Sequence, residues 1–185
     1  MDKAAVFIDG GYFAKVLKLV FPTAHICFEK LSDELCKETG YERLRSYFYT
    51  CMPYQGDPPT KEQSKRYAQM DSFVYNLKRL KRFEVRLGKL IYIPKMNDYI
   101  QKRVDVLLAV DLVRMSWDHQ IDAAILITGD SDFVPAIEAA KDAGVSTILY
   151  YSRGHAQVGA LDELLYTCDD RHEILKKHID AAKRT

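Results

Sequence analysis

An α/β fold, with helices on both faces of a mostly parallel sheet, is predicted by three observations on this 185-residue chain. Short apolar runs of buried-strand length recur at Ala4–Asp9, Ala123–Thr128 and Val145–Tyr151. Segments with helical spacing separate them, which is the alternation that parallel sheets require. Acidic residues collect where a strand hands over to a helix or a helix begins, and such carboxyl ends of strands are where α/β folds gather functional groups.

In order, Ala4–Asp9 reads as a first buried strand. A helix from about Gly11 to Leu19 follows, then a second from about Phe28 to Lys37 and a strand near Leu44–Tyr49. Pro53 to Pro59 is a loop. Thr60 to about Lys81 carries the longest helical pattern, with Tyr67, Met70, Val74 and Leu77 forming one apolar face. Phe83–Leu87 and Lys89–Ile93 read as short strands around Gly88. Val104 to about Trp117 is helical and Ala123–Thr128 is a strand. A helix from Asp132 to Ala143 stops at Gly144, and Val145–Tyr151 is the last clear strand before a weakly helical tail from about Leu161.

Three acidic signatures stand on this frame: Phe7-Ile8-Asp9-Gly10-Gly11, Lys102-Arg103-Val104-Asp105 and Thr128-Gly129-Asp130-Ser131-Asp132-Phe133. Carboxylates gathered at such ends are a common way to hold a divalent metal. Each also has a purely structural explanation. Asp130, Ser131 and Asp132 can cap a helix, although two acids flanking a serine exceed what a cap needs. Asp9 before two glycines can be turn chemistry, and Asp105 can serve a helix dipole. Asp111 falls among Leu107, Leu108, Leu112 and Met115 on an apolar face, so it must be paired there, as a support for the site or as a buried structural acid. Asp122 precedes its strand and belongs at the opposite end of the sheet.

Composition narrows the classes. At 48% hydrophobic and 29% charged residues, the length suits one well-cored domain, read here as residues 1–185. A net charge of +1 excludes generic adhesion to polyanions, so any such contact needs a local patch. Cys27, Cys36, Cys51 and Cys168 lack the spacing of a structural zinc site or a disulfide framework. No signal peptide or long apolar segment is present, and a cytoplasmic location without membrane partners is the expectation.

The segments Val6-Phe-Ile-Asp-Gly-Gly-Tyr12, Lys102-Arg-Val-Asp-Val-Leu-Leu-Ala-Val-Asp111 and Ile127-Thr-Gly-Asp-Ser-Asp-Phe-Val134 resemble the three signatures of the NYN domain family, in particular its LabA-like branch within the PIN-like nuclease superfamily. Asp169 to Ile174 loosely resembles the family's closing Asp-x-Phe motif, with Arg171 where an aromatic is usual. The resemblance implies a PIN-like three-layer α/β/α sandwich and a magnesium- or manganese-dependent endoribonuclease. It also implies that Asp9, Asp105, Asp130 and Asp132 form the acidic metal site, with Asp111, Tyr12 and Ser131 around it. One departure bears on activity: many members carry Asn three residues after the first Asp, where this chain has Tyr12.

The chemistry agrees with that implication. A phosphodiester repels its nucleophile, and a divalent cation lowers the pKa of water while neutralising charge on phosphate oxygens. Magnesium and manganese prefer hard oxygen donors. Crowded carboxylates raise one another's pKa, a conflict that a cation relieves.

RNA, expected as single strands, also has candidate contacts. From Lys61 to Arg103 there are twelve Lys or Arg residues against four acids, interleaved with Tyr67, Tyr75, Tyr92 and Tyr99. Lys78, Arg79, Lys81, Arg82, Lys102 and Arg103 are the candidates, with Arg153 beyond the last strand; His155 reads as part of a solvated loop. The alternative for Lys78, Arg79, Lys81 and Arg82 is service to a helix C-terminus. At the level of function, the alternative to a ribonuclease is a catalytically weak RNA-binding or protein-interaction module on the same fold, and a homo-oligomer is compatible with either. Hydride transfer is disfavoured because no GxGxxG follows the first strand, and aspartyl phosphotransfer because Gly11 stands where a second acid is needed.

Overall fold

The computed structural model describes residues 2–93 and 98–184, with side chains described outside 91–102. The chain runs β1 (Lys3–Asp9), α1 (Gly10–Val20), α2 (Phe28–Thr39), β2 (Glu42–Cys51), α3 (Lys61–Lys78), β3 (Phe83–Ile93), β4 (Asp98–Lys102), α4 (Val104–Trp117) and β5 (Ala123–Ile127). A single 3-10 turn at Ser131–Phe133 then leads into α5 (Val134–Asp142), β6 (Ser146–Tyr151), α6 (Asp162–Thr167), β7 (Asp170–Glu173) and α7 (Lys176–Ala181). The strands form one sheet in the order β4-β3-β2-β1-β5-β6-β7. Every pairing is parallel except the β3–β4 hairpin.

Alternation along each strand divides the core into two layers. On β1, Ala5 and Phe7 join the cluster of Leu108, Leu112, Phe133, Ile137 and Leu164 from α4 to α6. Ala4, Val6 and Ile8 face the cluster of Phe13, Leu31, Leu35, Leu77 and Ile179 from α1, α2, α3 and α7. β1 and β5 are buried on both faces, as their continuous apolar runs require. From β1 the chain moves toward β2, and from β5 it moves toward β6, so the order reverses between these two neighbours. Their carboxyl ends therefore flank the switch point, where a crevice opens in such sheets.

Several expected boundaries change. Phe83–Ile93 is one strand, because Gly88 pairs in register with Cys51 and makes no turn. Val145–Tyr151 is followed by a further strand, β7, an all-polar edge piece of Asp170, Arg171, His172 and Glu173 with no apolar alternation to reveal it. β4 was likewise outside the expected strands. The helix expected from Asp132 begins as the 3-10 turn, and its α-helical part starts at Val134, with Pro135 in the first turn where a missing N–H costs nothing. In α3 the Thr60–Gln63 capping box sets the start, but only Val74 and Leu77 are buried. Among the described residues, no helix is long and apolar enough to cross a membrane.

Candidate active site

Asp9 closes β1 and caps α1: its Oδ1 accepts from the Tyr12 backbone N–H at 3.0 Å. Its Oδ2 accepts from the hydroxyl of Thr128 at 3.2 Å, the first residue past β5. The same hydroxyl accepts from the Asp130 N–H at 3.2 Å, and Asp130 Oδ1 accepts from the Asp132 N–H at 3.0 Å. Thr128 is buried, so this chain of bonds ties the two strand ends together under the crevice. Thr128 opens the third acidic signature but is not among the candidate site residues read from the sequence. Its position at the end of an apolar strand, next to glycine, is the signal that could have found it.

The turn is shaped by Tyr12. A Cβ at Gly129 would lie 2.4 Å from the Tyr12 ring, so only glycine lets the turn pass over it. The phenol accepts from the Ser152 N–H at 2.9 Å and donates to the Val158 carbonyl at 2.9 Å. Burial first, with the negative charge of Asp9 also contributing, pushes this phenol up to about 12. Both of its hydrogen-bonding functions are thus spent on backbone, and Tyr12 acts as a strut between α1 and the loop after β6. It supplies no polar group in the manner of the asparagine it replaces.

Asp105 reaches the same end by another route. β4 runs back along β3 until Lys102 stands opposite Lys89, just beyond the Gly88–Cys51 pair, so α4 starts at the carboxyl edge of the sheet. Arg103 turns the chain with φ 76°, a conformation unfavourable for a residue with a side chain. Val104 then plugs into the core, and Asp105 sits solvent-facing in the first turn.

Electrostatics links the acids. Burial raises the Asp9 carboxyl, and the charges of Asp105 and Asp130 add to this against hydrogen bonds from Tyr12 and Thr128. Burial also raises Asp105, with Asp130 and Asp132 contributing. Asp9, Asp105, Asp130 and Asp132 therefore share one electrostatic neighbourhood. Among the described residues, no three Asp, Glu, His or Cys side chains converge closely enough to form a ready-made ligand set for one ion. The donors still fit a hard divalent cation in kind: they are carboxylate oxygens that repel one another, and magnesium commonly keeps several waters and takes only one or two carboxylates directly.

The other candidates separate into groups. Ser131 lies partly buried in the 3-10 turn between the two acids. Asp111 accepts from Tyr49 Oη at 3.1 Å, Arg86 Nε at 3.1 Å and Arg114 at 3.3 Å, the pairing that its apolar neighbours require. Exposed Arg103 and Arg153 follow strand ends on the carboxyl side, with the Arg153 guanidinium 5.3 Å from the Tyr151 ring. The side chains of Lys102, Tyr92 and Tyr99 lie outside the described residues. Lys78, Arg79, Lys81 and Arg82 are not brought together with the carboxylates. They precede β3, which is parallel to β2, so they stand at the amino ends of the strands. There Arg82 donates to the Arg43 carbonyl at 2.9 Å, and Arg79 lies over Tyr75. Asp169 is also at the amino ends, where it accepts from the N–H and hydroxyl of Thr147, each at 2.8 Å. Asp122 accepts from the Lys3 N–H there at 2.7 Å, as expected. His155 accepts from the Gln157 N–H at 3.2 Å, capping a short turn.

A solved structure of a protein of unknown function from Vibrio parahaemolyticus is similar in fold, with a TM-score of 0.67 over 99% of this chain and 96% of that one, at 17% identity. No curated protein matches the chain. The model of the NYN domain matches residues 3–175, nearly the whole length, and the chain belongs to the NYN domain family.

Proposed function

We propose that the protein is a metal-dependent endoribonuclease that hydrolyses RNA phosphodiesters in the crevice between β1 and β5. NYN domains generally are nucleases of PIN-like fold. The observation that carries the reading for this chain is the electrostatic coupling of Asp9, Asp105, Asp130 and Asp132, drawn from three separate segments to one end of the sheet, with the carboxyls of Asp9 and Asp105 raised. Coupled, perturbed carboxylates at a switch point are an expensive arrangement unless a cation or a reaction uses them.

Asp9 and Asp130 are the core ligands in this reading, with Asp105 and Asp132 joining directly or through water. A bound magnesium or manganese ion would neutralise phosphate charge and acidify a water. The chain's own residues do the rest. Tyr12 N–H and Thr128 fix the Asp9 carboxylate, and the Asp130 cap fixes the 3-10 turn, so the oxygens are held in place before substrate arrives. Asp105, facing solvent, takes the proton of the attacking water. Arg103 and Arg153 contact phosphates on the approach to the crevice.

Single-stranded RNA suits this end, since unstacked bases and exposed phosphates can follow an irregular rim. Val106, Val110 and Trp117, each more than half exposed along one side of α4, offer an apolar face for a homo-oligomer. The commitment of Tyr12 to backbone favours a second reading, a catalytically weak RNA-binding module. One experiment separates the two. Purified protein is expected to cleave single-stranded RNA with manganese or magnesium, to stop on addition of EDTA, and to leave 5′-phosphate and 3′-hydroxyl ends. Binding without cleavage supports the module, and 2′,3′-cyclic ends point to attack by the ribose hydroxyl and against this proposal.

A further inference from the structure

On the side of the sheet covered by α1, α2 and α3, a cavity of about 350 Å³ opens between these helices. Its floor is aromatic: Phe28 meets Phe13, Phe48 and Phe73 edge to face, with ring centroids 5.1–5.9 Å apart. In α3 the buried residues are Val74 and Leu77, and Met70 and Phe73 before them line the cavity. Protein interiors seldom leave voids much larger than a water, whereas ligand pockets begin at about 300 Å³ and combine apolar walls with a few polar groups.

Its polar lining includes Thr50, His25 and Arg184. Exposed His25 and Arg184 line the cavity, brought together where the Arg184 N–H donates to the His25 carbonyl at 3.1 Å. Among the described residues, no carboxylate lies within ion-pairing distance of Arg184. An apolar, aromatic-floored hollow lined in part by Arg184 and His25 is complementary to a small molecule with an apolar body and one anionic end. We propose that this cavity binds an amphipathic monocarboxylate, its chain or ring over the phenylalanines and its carboxylate against Arg184 and His25. Gly10, the residue after Asp9, forms part of the wall, so an occupant would abut the first turn of α1.

Calorimetric titration of the full chain with decanoate and with 1-naphthoate, below any micelle concentration, tests the proposal independently of nuclease activity. Saturable binding of one equivalent of either probe is expected. Arg184→Gln should weaken it by about tenfold or more, the scale of one lost charge-assisted contact. Decanamide, which lacks the charge, should bind the unaltered chain no better than decanoate binds that variant. Ala14→Trp, at an exposed position of α1 that lines the cavity, should abolish binding by filling it. Absence of saturable binding to the unaltered chain overturns the proposal, and so does an affinity unchanged by Arg184→Gln; either conclusion holds even where Ala14→Trp disturbs folding.

Discussion

Thr128 donates its hydroxyl to Asp9 across the seam between β1 and β5, at 3.2 Å, while accepting from the N–H of Asp130. One buried side chain thus ties the ends of two strands and holds the Asp9 carboxylate in place. Thr128→Val is therefore expected to keep the fold but weaken manganese binding. It should also cost about 1 kcal/mol, because the part-buried Asp130 N–H loses its acceptor. Isothermal titration with manganese and denaturant unfolding check the two effects, and unaltered metal affinity would detach Thr128 from the site.

The raised carboxyls make a signed prediction about pH. A group whose folded pKa lies above its unfolded value stabilises the fold at pH below the unfolded value of about 3.8, and this contribution is lost as pH rises through the folded one. Asp9 and Asp105 therefore leave the metal-free protein strained at neutral pH. Glu38 has the opposite sign: burial would raise it, but Lys177, Tyr150 and His178 outweigh that and hold it at about 2, so its contribution disappears as pH falls from about 4.5 toward 2. Comparing Asp130→Asn with the parent cancels the Glu38 effect. The variant, with one fewer like charge, should melt higher than the parent in EDTA at neutral pH, and the gap should close on acidification. A lower melting temperature in EDTA would contradict the crowding of these acids.

Asp111 behaves differently from the four site acids. Its carboxylate is shared by Tyr49, Arg86 and Arg114 beneath α4, so Asp111→Asn should destabilise the fold by about 1–3 kcal/mol and leave turnover per folded molecule unchanged. Urea unfolding alongside RNA cleavage separates stability from chemistry.

Replacing Lys78, Arg79, Lys81 and Arg82 by Gln should leave the salt dependence of RNA affinity unchanged, because these residues stand at the amino ends of the strands. Changing Arg103 and Arg153 to Gln should flatten it, by roughly 0.7 in log–log slope for each lost phosphate contact with a single strand. Salt titrations of both variants decide which rim RNA follows, and a flattened slope in the first would move the substrate path to the opposite end.

How much of this was legible in the sequence depended on burial. β1 and β5 are covered on both faces and announced themselves as unbroken apolar runs, with Asp9 and Asp130 at their ends. β7 has four polar residues on a sheet edge, and no hydrophobic period marks it. The Lys78–Arg82 cluster reads in one dimension as a phosphate track or as service to a helix C-terminus, whereas strand direction, which places it at the amino ends, emerges only from the pairing of β3 with β2. Asp111 was readable as a paired acid from its apolar neighbours, but its partners on β2 and β3 are 62 and 25 residues away. Tyr12 stood out as a departure from the family, and only its bonds to Ser152 and Val158 revealed a strut.

The central claim is that Asp9, Asp105, Asp130 and Asp132 hold a catalytic divalent cation, and anomalous diffraction from crystals soaked in manganese tests it most directly. The expected result is a peak bounded by these four side chains, lost in Asp130→Asn crystals. Manganese found only elsewhere on the molecule, or absent from the crevice at concentrations that support RNA cleavage, would contradict it.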